Sequence, residues 1–131
     1  MSGAFGFELD PASLTQEEKA QVREQIAVYH KFEALIRRGT YYRLTQEEKP
    51  YIAWEFVSKD KTEVLVNLTA TWLEANSAFP FVRLKGLDPE KQYLAEGIAE
   101  PVSGAALMYG GYVFDALKGD FPSAQIYFRA L

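Results

Sequence analysis

The sequence predicts a mainly β protein: an antiparallel β-sandwich preceded by one strand and one long helix. Three observations carry this. Apolar residues alternate with period two in "YIAWEFVS" and "EVLVNLTA"; a helical period holds from Thr15 to Arg38 between recognisable start and stop signals; and short apolar runs recur between turn strings in the second half. Several short strands at such spacing suit a sandwich.

The first element is expected over residues 3–10, where Phe5, Phe7 and Leu9 alternate against Gly6 and Glu8 before "DPAS" stops the run. That is the pattern of a strand and a turn. A helix then follows. Thr15 is placed to cap it, and Glu18 lies three residues on, where its carboxylate can bond the amide of the cap. Glu17 and Glu18 lie at the positive end of the helix dipole, Arg37 and Arg38 at the negative end, and Glu33 with Arg37 forms an i,i+4 pair. Gly39 is expected as a left-handed stop. Val22, Ile26, Tyr29 and Ile36 fall in one stripe, widened by Val28, Phe32 and Leu35 to about half the circumference. Such a helix needs more than one neighbour.

Beyond Gly39, Ile52, Trp54 and Phe56 alternate, "KDK" turns, and Val64, Val66, Leu68 and Ala70 alternate. This is a hairpin pattern. Further strands are expected over residues 81–84, 92–96, 112–114 and 124–131, separated by strings such as "KGLDPEK" and "KGDFPS", and "SGAALMY" reads as a short helical segment. The hexapeptide "LTQEEK" occurs at Leu14 and again at Leu44. The first copy holds the helix cap, whereas the second runs into Pro50 and reads as a loop or single turn.

Composition narrows the function. The chain has 131 residues, one domain's worth, with 18 acidic against 14 basic side chains and a net charge of −4. It lacks the basic surplus that nucleic-acid binding draws on. With no cysteine there is neither a disulfide framework nor a thiolate metal site. The absence of a signal-like leader or a membrane-length apolar run points to a soluble, cytoplasmic chain.

Motifs of chemistry are sparse. His30 is the sole histidine, without a second nitrogen or sulfur ligand or a nucleophile elbow to serve, so a structural or surface role is expected. Ser103 lacks the preceding glycine of an elbow, and "YGGY" does not make a phosphate cradle. Asn67, in the glycosylation pattern "NLT", sits inside an expected strand and reads as a chance match. Trp54, Trp72 and the tyrosines suit a sugar-stacking platform, but the alternation of Trp54 with Ile52 and Phe56 favours core packing. Glu8 and Asp10 are the only acids at the end of an apolar strand, and the other acids read as solvated. No catalytic, cofactor-binding or metal-binding residue is assigned, and no cofactor is expected.

Taken in order, "GAFGFELD", the capped helix, "LKGLDPEKQY", "SGAALMYGGY" and "GDFPSAQIYF" resemble the C-terminal end of bacterial α-galactosidases of glycoside hydrolase family 36. The resemblance covers essentially the whole chain. It implies that residues 1–39 are the last strand and helix of a catalytic (β/α)8 barrel and residues 40–131 a C-terminal antiparallel β-sandwich. In the family one aspartate attacks the anomeric carbon and another protonates the leaving oxygen; both belong to earlier barrel strands, in motifs that this sequence does not contain. The resemblance therefore implies an inactive chain with a structural role. Its partner would be the rest of the barrel, it would meet an α-galactoside only through the parent enzyme, and contacts within a homo-oligomer would be a further role. Glu8 and Asp10 would sit near the rim of the active site. A carbohydrate-binding accessory module and a stand-alone interaction domain remain as alternatives.

Overall fold

In the computed structural model, which describes residues 3, 5–45, 49–71, 78–115, 117 and 121–131, the helix α1 spans Gln16–Arg38 with Thr15 as its N-cap. The Glu18 amide donates to the Thr15 hydroxyl at 3.2 Å and the Thr15 amide donates to the Glu18 carboxylate at 2.8 Å. The reciprocal bonds satisfy two donors that a helix start leaves orphaned. They also hold the Glu18 carboxyl below its ordinary range, the bond from the Thr15 backbone contributing most. The expected Glu33–Arg37 pair is present at 3.2 Å.

Two expectations about the ends of this unit are corrected. Gly39 is extended, with φ −67° and ψ 167°, rather than left-handed. Space is what it supplies, because a Cβ there would stand 2.5 Å from the Leu35 carbonyl oxygen and 3.0 Å from that of Val57. The strand expected over residues 3–10 does not form: residues 5–10 lack regular secondary structure. A strand exists through its ladder, and residues 5–9 exchange no backbone hydrogen bond with any other described residue.

Six strands form one antiparallel sheet: β1 (Thr40–Arg43), β2 (Tyr51–Val57), β3 (Glu63–Ala70), β5 (Gln92–Ala95), β6 (Val102–Ser103) and β8 (Ser123–Ala130), in the spatial order β1-β2-β3-β8-β5-β6. A second sheet pairs β4 (Phe81–Val82) with β7 (Tyr112–Val113). The β2–β3 hairpin is the one expected, in the register Val57 to Val64. The strands expected near residues 81, 92, 112 and 124 are all present. "SGAALMY" contains a helical turn, of π type over Ala106–Gly110. In the second "LTQEEK", Leu44, Thr45 and Lys49 are irregular, while residues 46–48 lie outside the described residues.

The long sheet is covered on both faces, so β2 and β3 are buried almost continuously instead of alternately. On one face Val64, Val66 and Leu68 pack with Leu84, Leu107 and Phe114 of the shorter layer. On the other face Phe56 and Leu65 pack beneath Tyr29, Phe32, Leu35 and Ile36 of α1. Ile52, Trp54 and Phe56 belong to this helix-side face. Their burial grades along the strand, from Phe56 at 4% exposure through half-buried Trp54 to Ile52 at 46%.

Candidate functional site

The N-terminal segment lies along the helix. Asp10 starts the turn, its carboxylate accepting from the Ala12 amide at 2.9 Å and its carbonyl from the Ser13 hydroxyl at 2.8 Å. The extended residues between Phe5 and Asp10 reach about 17 Å and the helix between Gln16 and Tyr29 about 20 Å, so the segment returns antiparallel to α1. Phe5 accordingly stacks on Tyr29 with ring centroids 5.1 Å apart, and the Tyr29 hydroxyl donates to the Gly3 carbonyl at 3.1 Å. Phe7 packs edge-on against Phe5 at 5.1 Å.

What this unit leaves open is apolar. Phe7 is 39%, Leu9 48% and Ile26 37% exposed, and Val22 is only half-buried. The buried residues of α1 are confined to its C-terminal half, Tyr29 to Ile36. The wide apolar arc is thus half used: its C-terminal half covers the sheet and its N-terminal half faces solvent beside a segment with unpaired backbone. An apolar strip with open backbone hydrogen-bonding groups is a surface that another strand or layer can cover.

Chemistry is not concentrated there. Glu8 and Asp10 are both exposed, and the Asp10 carboxylate is engaged in its own turn. His30 is exposed on α1, its Nδ1 3.5 Å from the Glu33 carboxylate. Among the described residues no group of three histidine, cysteine, aspartate or glutamate side chains is placed to hold a metal. Trp54 packs on the helix-side cluster, and Trp72 lies outside the described residues. Asn67 sits in β3 between Trp54 and Gln125, its side-chain oxygen accepting from Gln125 at 2.8 Å, an unsuitable place for glycosylation.

An open groove of about 620 Å³ lies between α1 and the β5 edge, lined by Lys31, Leu94, Glu96, Ile98, Tyr127 and Arg129. Its charges are partly spent, since the Lys31 ammonium reaches both Glu96 oxygens at 2.7 Å. The Tyr127 hydroxyl donates to Glu63 at 2.5 Å. Burial first and that bond second push the phenol up to about 12.

One residue corrects the expectation that the acids other than Glu8 and Asp10 are solvated. Glu55 is fully buried in the middle of β2. One of its oxygens accepts from the Lys85 amide at 2.6 Å, and the other has no hydrogen-bond partner among the described residues. Burial pushes the carboxyl up to about 8 against the opposing pull of that amide. The signal was in "AWEFV", an acid flanked by apolar residues in a strand, but period two assigns it to a solvent face. Only the second covered face of the sheet reverses that assignment.

A model of the glycosyl hydrolase family 36 C-terminal domain matches residues 51–128. The chain is 43% identical to the bifunctional alpha-galactosidase/sucrose kinase AgaSK of Mediterraneibacter gnavus, across 100% of this chain and 14% of that protein. It is 39% identical to alpha-galactosidase AgaA of Geobacillus stearothermophilus, across 100% of this chain and 18% of that protein. The crystal structure of the GH36 alpha-galactosidase AgaB from Geobacillus stearothermophilus superposes with a TM-score of 0.92 at 40% identity, covering 99% of this chain and 18% of that one. The chain thus spans less than a fifth of the length of these relatives.

Proposed function

Because the chain belongs to the glycosyl hydrolase family 36 C-terminal domain family, we propose that it is the non-catalytic end of a retaining α-galactosidase. In this reading residues 1–39 complete the catalytic barrel and residues 40–131 are the sandwich that braces it. The parent removes terminal α-linked galactose from oligosaccharides, and no residue of this chain performs the chemistry. The observation that carries the reading is the open apolar strip of Phe7, Leu9 and Ile26 beside backbone that pairs with nothing described. A barrel would supply both missing partners: neighbouring strands for residues 5–9 and an apolar wall for the first half of α1. The identity with two alpha-galactosidases across the whole chain supports it further.

The strip makes the test. Ile26→Glu in the isolated chain changes an exposed position, so stability should move by no more than about 0.5 kcal/mol. The same change in the parent-length enzyme would bury a charge against the barrel and should cost several-fold in galactosidase activity and lower the unfolding temperature. Equal, small effects in both contexts would overturn the proposed docking. Among the described residues no helix is long and apolar enough to cross a membrane. A cytoplasmic location is proposed for the parent, to be checked by fractionating producing cells. Contacts within a homo-oligomer are likewise a proposal, tested by the mass of the parent-length protein in light scattering.

A further inference from the structure

We propose that Glu55 is a proton-operated latch: as a neutral acid it holds the turn at residues 85–88 on the edge of the six-stranded sheet, and losing its proton to solvent releases that turn. The turn joins β4 to β5, so it ties the shorter layer to the longer. Three contacts dock it. The Lys85 amide donates to Glu55 from β2 at 2.6 Å, the Lys85 ammonium donates to the Arg43 carbonyl of β1 at 2.9 Å, and Gly86 lies under the Tyr42 ring of β1 so closely that a Cβ would meet it at 2.5 Å. Gly86 also holds φ +70°, a conformation that other residues adopt only with strain.

The groups around the carboxyl give its negative form little relief. The Lys85 charge acts on it against the burial, but its ammonium donates to the Arg43 carbonyl. On β1 the residue opposite is Tyr42, on β3 it is the apolar Val66, and at the far end of the turn the Asp88 amide is taken by the Tyr93 hydroxyl at 3.0 Å. The second carboxyl oxygen has no partner among the described residues. A neutral acid tolerates such a site far better than an anion does. When the proton leaves, the amide bond to Lys85 gains strength, but the unpartnered oxygen must reach water. Of the surrounding elements that reach the surface, the edge strand β1 is held by its ladder to β2, whereas the turn, with Lys85 and Pro89 exposed, is held by the three contacts above and by Leu84 and Leu87 in the core. Lifting the turn is therefore the least costly way to hydrate the charge.

The test follows the Glu55 carboxyl carbon and the backbone amides of the 131-residue chain by NMR from pH 5 to pH 10. The carboxyl is expected to titrate near pH 8, where burial places it. Between the ordinary carboxyl value and that midpoint the Lys85 amide should lose protection by about tenfold per pH unit beyond the intrinsic base dependence, levelling off above the midpoint, while amides of the β2–β3 hairpin keep theirs. In Glu55→Gln, which retains an acceptor for Lys85 but has no proton to lose, the pH-dependent loss should vanish. A carboxyl titrating in the ordinary carboxylate range would overturn the latch, as would a loss shared equally by the hairpin amides, which marks global unfolding. Both of those readings come from the unsubstituted protein, so the proposal stands or falls even if the glutamine variant does not fold.

Discussion

Thr15→Ala removes the hydroxyl that accepts from Glu18 and breaks half of a reciprocal pair. The expected loss is about 1 kcal/mol, read as a lower urea midpoint at unchanged slope. Glu55 sets a pH dependence whose sign follows from its raised folded pKa. Its ordinary value is 4.5 and its folded value about 8, so the folded protein binds the extra proton between them. The stabilising contribution is complete below the ordinary value and declines as pH rises toward the folded one, at roughly 1.4 kcal/mol per pH unit. Urea titrations of the chain and of Glu55→Gln should differ in that slope. Residue identity made Thr15 legible, because a capping box is local and its two members lie three apart. Nothing local distinguishes Glu55 from a solvated acid. Its environment is created by residue 85, thirty positions away in sequence, and by the covering of a second face.

The helix divides into two halves. Tyr29, Phe32, Leu35 and Ile36 are buried on the sheet, whereas Val22 is half-buried and Ile26 exposed. Without tertiary packing a helix of three turns is marginal in water, so amides of the first half should exchange one to two orders of magnitude faster than those after Tyr29 in the isolated chain. Uniform protection along α1 would contradict the division. Periodicity found this helix and the β2–β3 hairpin because each carries a long, regular pattern. It missed β1 and β6, whose strings "TYYR" and "VS" carry no alternation of apolar and polar residues. It also expected a strand over residues 3–10. The alternation there is real, but a pattern encodes a face and a ladder needs partners, which the described residues do not provide. Gly39 is expected as a helix stop on the grounds of backbone freedom, whereas in the structure its lack of a Cβ admits the close Leu35 and Val57 carbonyls.

At the scale of the whole molecule, one sheet carries two different burdens. Its inner face closes on the β4–β7 layer and makes a core of its own. Its outer face closes on the second half of α1, while the first half of that helix and residues 5–9 extend past the sheet with apolar surface exposed. Under the proposed function this open strip is where the catalytic barrel would dock. The most direct measurement is hydrolysis of an aryl α-galactoside by the purified 131-residue chain beside a parent-length enzyme of the same family. Turnover by the longer protein and none by the chain is the expected result. Turnover by the chain that persists after exclusion of contaminating enzyme would contradict the account, because the catalytic carboxylates would then lie within residues assigned here to structure.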